Sequence, residues 1–194
     1  LHGDQDLWIT KTDLSGNVIW QKNYGGSALD IGYATISANG SLIAAGLTLS
    51  NDQDANGNHG GLDAWIIRLN ETDGLMYDQH CYGGSSNDAA FCLKGFSNGN
   101  IYFAGYSRSS NGNVSGNYGY NDCWIGKLDT AGTLLNQQHF GGSGADAVYA
   151  IDETPDGIVL TSSSTSSDFD VSSNSGMEDV WVLKVDSTFN KMWE

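Results

Sequence analysis

Proline is nearly missing from this chain: Pro155 is the single one among 194 residues. Basic side chains are scarce as well, with 8 Lys and Arg against 23 Asp and Glu and a net charge of −15. So few cations leave no basic stripe to displace counterions, which excludes a nucleic-acid partner and disfavours an anionic membrane surface. No apolar run approaches the ~18 residues needed to span a bilayer as a helix, so no membrane insertion is expected. The three cysteines, Cys81, Cys92 and Cys123, cannot all pair internally and show no CxxC or Cys/His spacing suited to zinc. Cys92 and Cys123 take slots held by Ala and Val elsewhere in the chain, so buried free thiols are expected.

What is abundant is glycine, 26 residues, together with Asn, Asp, Ser and Thr between short apolar runs. Glycine, Asn and Asp supply the positive φ angles of tight turns, so this is the vocabulary of strands and turns. No stretch carries a convincing helical period.

The runs recur. An Asp two residues before a Trp opens an apolar stretch at Asp6-Leu7-Trp8, Asp63-Ala64-Trp65, Asp122-Cys123-Trp124 and Asp179-Val180-Trp181, with steps of 57, 59 and 57 residues. A second marker keeps the same beat: Gly25-Gly26-Ser27 with Asp30, Gly83-Gly84-Ser85 with Asp88, and Gly141-Gly142-Ser143 with Asp146. Two independent markers on one period define a repeat protein. The period divides the chain into a half-repeat, 1–24, and three repeats, 25–82, 83–140 and 141–194. Leu1 falls inside a repeat, so no signal peptide is expected and the chain reads as a mature or excised segment.

Each period predicts four strands. In the first full copy these are Ile31 to Ser37, Leu42 to Thr48, Ala64 to Leu69 and Leu75 to Tyr82. The third strand decides the architecture. Trp65, Ile67 and Leu69 lie on one face and Ala64 and Ile66 on the other, so both faces are apolar and both must be covered. A β-sandwich would leave one face wet. The fold class predicted is therefore all-β, a β-propeller segment of four-stranded antiparallel blades packed face to face. The first strand fits the innermost place, with an aromatic slot (Tyr33, Phe91, Tyr149) followed by a small one (Ala34, Cys92, Ala150). Three and a half blades do not close a ring, so either further propeller repeats of the same chain complete it, which is the reading preferred, or two chains share a ring.

The loop before the third strand is the best candidate for chemistry. Asp52, Asp54, Asn56 and Asn58, with Gly57 and with Asp63 at the twelfth place, follow the spacing of an EF-hand-type loop and make Ca²⁺ the candidate cofactor. The third copy offers Asp168, Asp170, Ser172 and Asp179; the second keeps only Asp122 as a carboxylate. The same residue types also cap nearby backbone N–H groups with no metal, and both readings stand at this point. The repeated Asp residues beside Trp and after Gly-Gly-Ser are expected as hydrogen-bond acceptors, since an active site seldom occurs three times in one chain. Trp20 and Trp193, on fourth strands, are candidate exposed contacts. His2, His59, His80 and His139 occupy no slot common to all copies, and no nucleophile elbow or phosphate loop is found. No enzyme is expected from this segment.

The pattern D-x-W-[IV]-x-[KR]-L-[DN], then Y/F-G-G-S-x-x-D, then S-N-D-x-D resembles the secreted β-propeller repeat arrays of bacteria, notably Bacteroidota-type organisms. The resemblance covers nearly the whole chain. It implies an acidic, extracellular or cell-surface repeat module, non-enzymatic, used for binding, adhesion or scaffolding and partnered by protein or glycan. Two alternatives remain open: a carbohydrate-binding, lectin-like propeller using the loops or outer Trp residues, and a hydrolase whose catalytic groups lie outside this segment.

Overall fold

The computed structural model describes residues 2–194; Leu1, at which the sequence was expected to begin inside a repeat, lies outside the described residues. Among the described residues every regular element is a strand. Two of them, β1 (Leu7–Thr12) and β2 (Val18–Tyr24), form a two-stranded sheet. Three four-stranded sheets follow. The first holds β3 (Asp30–Ala38), β4 (Ser41–Thr48), β5 (Asp63–Leu69) and β6 (Met76–Tyr82). The second holds β7 (Asp88–Gly95), β8 (Ile101–Ser107), β9 (Asp122–Leu128) and β10 (Leu134–Phe140). The third holds β11 (Asp146–Thr154), β12 (Gly157–Ser164), β13 (Asp179–Val185) and β14 (Lys191–Trp193). In each sheet the strands lie side by side in chain order and antiparallel, with short turns except for the long loop between second and third strands. The turn between β3 and β4 places both Asn39 and Gly40 at positive φ, 53° and 74°, the backbone that matches strand twist in a two-residue hairpin.

Each first strand carries one extra residue opposite its partner. The register breaks between Gly32 and Ala34, between Ala90 and Cys92, and between Val148 and Ala150. The extra residue is therefore Tyr33, Phe91 or Tyr149, the aromatic slot of the repeat. A bulge re-aims the side chain it carries. The three rings meet along the edge strands, Tyr33 and Phe91 edge-on at 4.9 Å and Phe91 and Tyr149 stacked at 5.6 Å.

The core lies between the sheets. Leu7, Ile9 and Tyr24 of the two-stranded sheet pack with Ala44, Trp65, Ile67 and Leu69 of the next. Ile43, Ala45, Ala64, Ile66 and Tyr82 then pack with Phe103, Trp124 and Leu128. Tyr102, Ala104, Cys123, Ile125 and Phe140 pack with Trp181, Leu183 and Val185. β5 and β9 thus divide their residues between two interfaces, as their two apolar faces demand. The indole N–H of each covered Trp is satisfied from its own fourth strand: Trp65 Nε1 donates to Gln79 Oε1 at 2.9 Å, Trp124 to Gln137 at 3.0 Å and Trp181 to Glu194 Oε2 at 2.6 Å. The loop between second and third strands is pinned by one buried apolar residue per copy, Ala55, Val114 or Val171.

The ends of the stack differ from its middle. Trp65 and Trp124 are 1% and 0% exposed, whereas Trp8 in the same slot is 64% exposed, because no described sheet lies on its side of β1. Val180 is 79% exposed, whereas Ala64 and Cys123 in its slot are fully covered. Cys123 is buried as expected, and Cys92 is half-buried against the core. Trp20 is half-buried and donates to the Glu71 carbonyl at 3.2 Å; Trp193 is exposed.

Candidate functional site

The acidic loops join β4 to β5, β8 to β9 and β12 to β13, and each reaches over the Gly-Gly-Ser turn of its own repeat. In the first copy Asp52 Oδ1 accepts the Ser27 N–H at 2.7 Å. Asp54 accepts the Gly25 N–H through Oδ2 at 3.4 Å and returns its own N–H to the Gly25 carbonyl at 3.2 Å. In the third copy Asp168 accepts from Ser143 at 2.8 Å and Asp170 exchanges the same pair with Gly141. The second copy has amides at both places, and the bonds are the same. Asn111 Oδ1 accepts from Ser85 N at 2.9 Å and Asn113 exchanges bonds with Gly83. The bonds made at these positions need an acceptor oxygen, which an amide supplies as well as a carboxylate does.

Asn58 braces the loop from within. Its Nδ2 donates to the Thr48 and Gly61 carbonyls, at 3.0 and 2.9 Å, while its Oδ1 accepts the Gly60 N–H at 2.8 Å. Asn117 and Asn174 bond in the same way to Ser107 and Gly119 and to Ser164 and Gly176. Spacing to the calcium-type pattern singled out Asn58 alone; the identity of this slot in all three copies was the available signal for the other two. Asn56 donates to the Gln53 carbonyl at 2.9 Å, and the Ser172 N–H donates to Glu194 at 3.0 Å.

Asp63 sits apart from Asp52 and Asp54. Its Oδ2 accepts from the backbone N–H of His59 at 3.0 Å and contacts His59 Nδ1 at 2.6 Å. Its Oδ1 points to Gly83, at the turn of the following repeat. Asp122 repeats this with the Tyr118 N–H, and Asp179 with the Ser175 N–H, both at 2.5 Å. The early acids bond to the Gly-Gly-Ser turn of their own repeat, whereas Asp63 and Asp122 reach toward the first glycine of the next one. Among the described residues no three His, Cys, Asp or Glu side chains stand in an arrangement ready to hold a metal ion.

Asp30, Asp88 and Asp146 anchor the same turns from inside. Asp146 Oδ2 accepts from Gly142 N and Ser166 Oγ, each at 2.8 Å, and its Oδ1 accepts from Ser164 Oγ. Asp30 and Asp88 make the equivalent bonds. All three are buried. At the first glycine of the turn two carboxylates from different repeats converge. A Cβ on Gly83 would lie 2.7 Å from both Asp63 Oδ1 and Asp88 Oδ2, and one on Gly141 would lie 2.9 Å from Asp122 Oδ1 and 2.5 Å from Asp146 Oδ2. Only glycine admits that approach. Both Oδ1 atoms are buried with no hydrogen-bond donor. Burial, and to a lesser degree Asp88, raises Asp63 above the ordinary carboxylate range, partly offset by His59. Burial pushes Asp122 up to about 7, with Asp146 and Asp170 adding to it and the Tyr118 N–H opposing.

A groove of about 580 Å³ runs beside β6, bordered by Asn56, His59, Gln79, His80, Tyr82 and Leu134. At the loop tips Tyr118 and Phe169 stack at 5.1 Å and 17°, both exposed, with Phe169 held at a φ of 53°. Gln53 and Gly112, in the same slot of the other copies, take the same left-handed backbone at 55° and 69°, so this conformation belongs to the loop turn common to the repeats. No protein-family model matches the chain, and comparison with curated proteins finds no relative.

Proposed function

We propose that this chain is a segment of an extracellular β-propeller, its four-stranded sheets the blades, acting as a non-enzymatic module for binding, adhesion or scaffolding in a larger secreted or cell-surface protein. The observation that carries the reading is the repeated face-to-face contact, in which one Trp slot fills each interface between successive four-stranded sheets. The uncovered Trp8 and Val180 slots at the two ends of the stack are faces that further repeats of the same kind would cover. The resemblance of the repeat pattern to secreted bacterial propeller arrays supports the cell-surface setting. Small-angle scattering tests the blade reading, since sheets radiating about one axis give an arc-shaped particle and a straight stack gives a rod. Arrays of surface proteins and glycans test the role. Retention of a protein or glycan supports it, and a turnover activity in the isolated chain would sink it.

A second reading, a carbohydrate-binding propeller, is favoured by the exposed Tyr118–Phe169 stack at the loop tips. Aromatic faces beside hydrogen-bonding loops suit a sugar ring. In a glycan array, loss of retention in Phe169→Ala with unchanged thermal stability supports this reading. Equal retention by wild type and variant removes it.

A further inference from the structure

The two carboxylates that meet at Gly141 belong to successive repeats, and they are not equivalent. Asp146 takes three donors, Gly142 N, Ser164 Oγ and Ser166 Oγ, so both of its oxygens are satisfied. Asp122 takes one, the Tyr118 N–H on Oδ2, and its Oδ1 is buried without a donor although it borders the same space as Asp146 Oδ2. An ionised oxygen left so, beside a second carboxylate, pays the full cost of desolvation and repulsion. A proton on that oxygen removes the charge and turns the orphaned acceptor into a donor facing an acceptor.

We propose that this junction is a proton site: Asp122 folds as a neutral carboxylic acid whose Oδ1 hydroxyl faces the Asp146 carboxylate, so that the contact between successive sheets tightens when the proton binds and loosens when it leaves. The proton comes from solvent and returns to it, and no other bond changes. The surrounding groups offer no substitute for it. Cys123, on the same strand, is a buried thiol pushed well above its ordinary value by burial and then by Asp146, and so carries no charge. The Tyr118 phenol is raised by burial, Asp170 and Asp122. Asp170 adds a further carboxylate from the next loop. The nearest ammonium to it, Lys191 Nζ, donates to the Asp170 carbonyl at 2.7 Å and lies 3.9 Å from Asp170 Oδ1. Among the described residues Asp122, Asp146 and Asp170 do not stand as a group placed to hold a metal ion.

The sign of the effect follows from the direction of the shift. The ordinary value of the group is 3.8, and in the folded chain it stands at about 7. Proton binding therefore favours the folded state. The contribution is full below about 3.8 and is lost as pH rises through about 7.

Thermal unfolding of wild type and Asp122→Asn at pH 8 and pH 6 tests the site. Asparagine keeps the Tyr118 bond and offers Asp146 an N–H donor without titrating. Acidification is expected to raise the wild-type melting temperature by about 3 °C relative to the variant. Equal shifts in the two proteins overturn the proposal. Should the variant not fold, ¹³C NMR of the Asp122 carboxyl in wild type gives the answer directly: a midpoint near neutrality supports the site, and a midpoint in the ordinary carboxylate range overturns it. Calcium added at pH 8 must leave wild type no more stabilised than Asp122→Asn; a gain confined to wild type would replace the proton with a metal ion and overturn the proposal.

Discussion

The first and second full repeats share strand order and the pairing of second with third strand, though the turn between first and second strands is longer in the second, and their polar slots are filled differently. Where the first has Asp52 and Asp54, the second has Asn111 and Asn113. Asp63 is answered by the imidazole of His59, but Asp122 meets only the backbone of Tyr118. In the fourth strand the slot before the aromatic is Cys81 in one repeat and His139 in the other. The covered apolar slots exchange bulk in pairs: Ala44 and Ile67 of the first repeat stand where the second has Phe103 and Gly126, and the Phe103 ring fills the room a side chain on Gly126 would need. The difference teaches that the packing frame tolerates wide variation in charge as long as each turn keeps its acceptors and each interface keeps its Trp. Titration behaviour can therefore differ from one junction to the next on the same backbone.

The largest effect tests what the two repeats share. Trp65→Ala and Trp124→Ala each remove a fully covered indole from an inter-sheet core and should each cost about 3–5 kcal/mol in chemical denaturation. Trp8→Ala removes a ring from the same slot where nothing covers it and should cost under about 1 kcal/mol. Equal losses at all three would break the account of the core as lying between sheets.

The next effect separates the repeats. His139 is buried against Trp124, its Nδ1 bonded to the Ser115 carbonyl at 2.8 Å and its Nε2 without a partner. Burial lowers it from 6.5 to about 4, with the Ser115 bond and Asp88 pulling the other way. The folded state thus holds the neutral ring. Its contribution is intact above about 6.5 and is lost as pH falls toward 4, by about 2–3 kcal/mol at the lower end. His139→Gln keeps a donor for Ser115 and should remove that loss. Cys81→Ser in the first repeat should leave the acid limb of the stability curve unchanged, because the thiol is pushed up to about 12, far from that range. A steep acid limb that persists in His139→Gln would place the titrating group elsewhere.

A smaller effect comes from exchanging the partners of the two late acids. Tyr118→His sets an imidazole beside Asp122, as His59 stands beside Asp63, and should move the Asp122 midpoint down by about one pH unit. His59→Ala should move the Asp63 midpoint up, since it removes the imidazole bond that most offsets burial there and keeps only the backbone one. Carboxyl NMR reads both. No movement in either variant would mean that burial alone sets these groups and that the two junctions are electrostatically alike.

Much of the frame was legible in the sequence because two markers kept one period, and most strand ends fall within a residue of the expected places. The flanking Asp joins the strand at Asp30, Asp63, Asp88, Asp122, Asp146 and Asp179, where the expected strands began one residue later. The bulges were not legible, since an extra residue at Tyr33, Phe91 or Tyr149 leaves the apolar pattern on both sides intact. Neither were the Trp-to-Gln79, Gln137 and Glu194 bonds, which join strands 13 or 14 residues apart. The loops were legible in composition but not in geometry. A carboxylate at the twelfth place reads the same whether the chain curls back or runs on. Here β5 begins at that residue and carries Asp63 across to Gly83, while Asp52 and Asp54 stay at Gly25 to Ser27.

The smallest effect concerns Asp52 itself. Asp52 Oδ1 accepts one N–H from Ser27, and Asn111 performs the same task for Ser85 with a neutral amide. Asp52→Asn should therefore change stability by less than about 0.5 kcal/mol, whereas Asp52→Ala leaves the Ser27 N–H without its acceptor and should cost about 1 kcal/mol. Calcium decides between the two readings that the spacing left open. If the carboxylate acts as a backbone acceptor, wild type and Asp52→Asn melt alike in chelator and in millimolar calcium. If the loop gathers an ion, calcium raises the wild-type melting temperature in proportion to the logarithm of its concentration, and Asp52→Asn loses most of that rise. The first repeat would then differ from the second in kind, because Asn111 and Asn113 bring no charge to their loop.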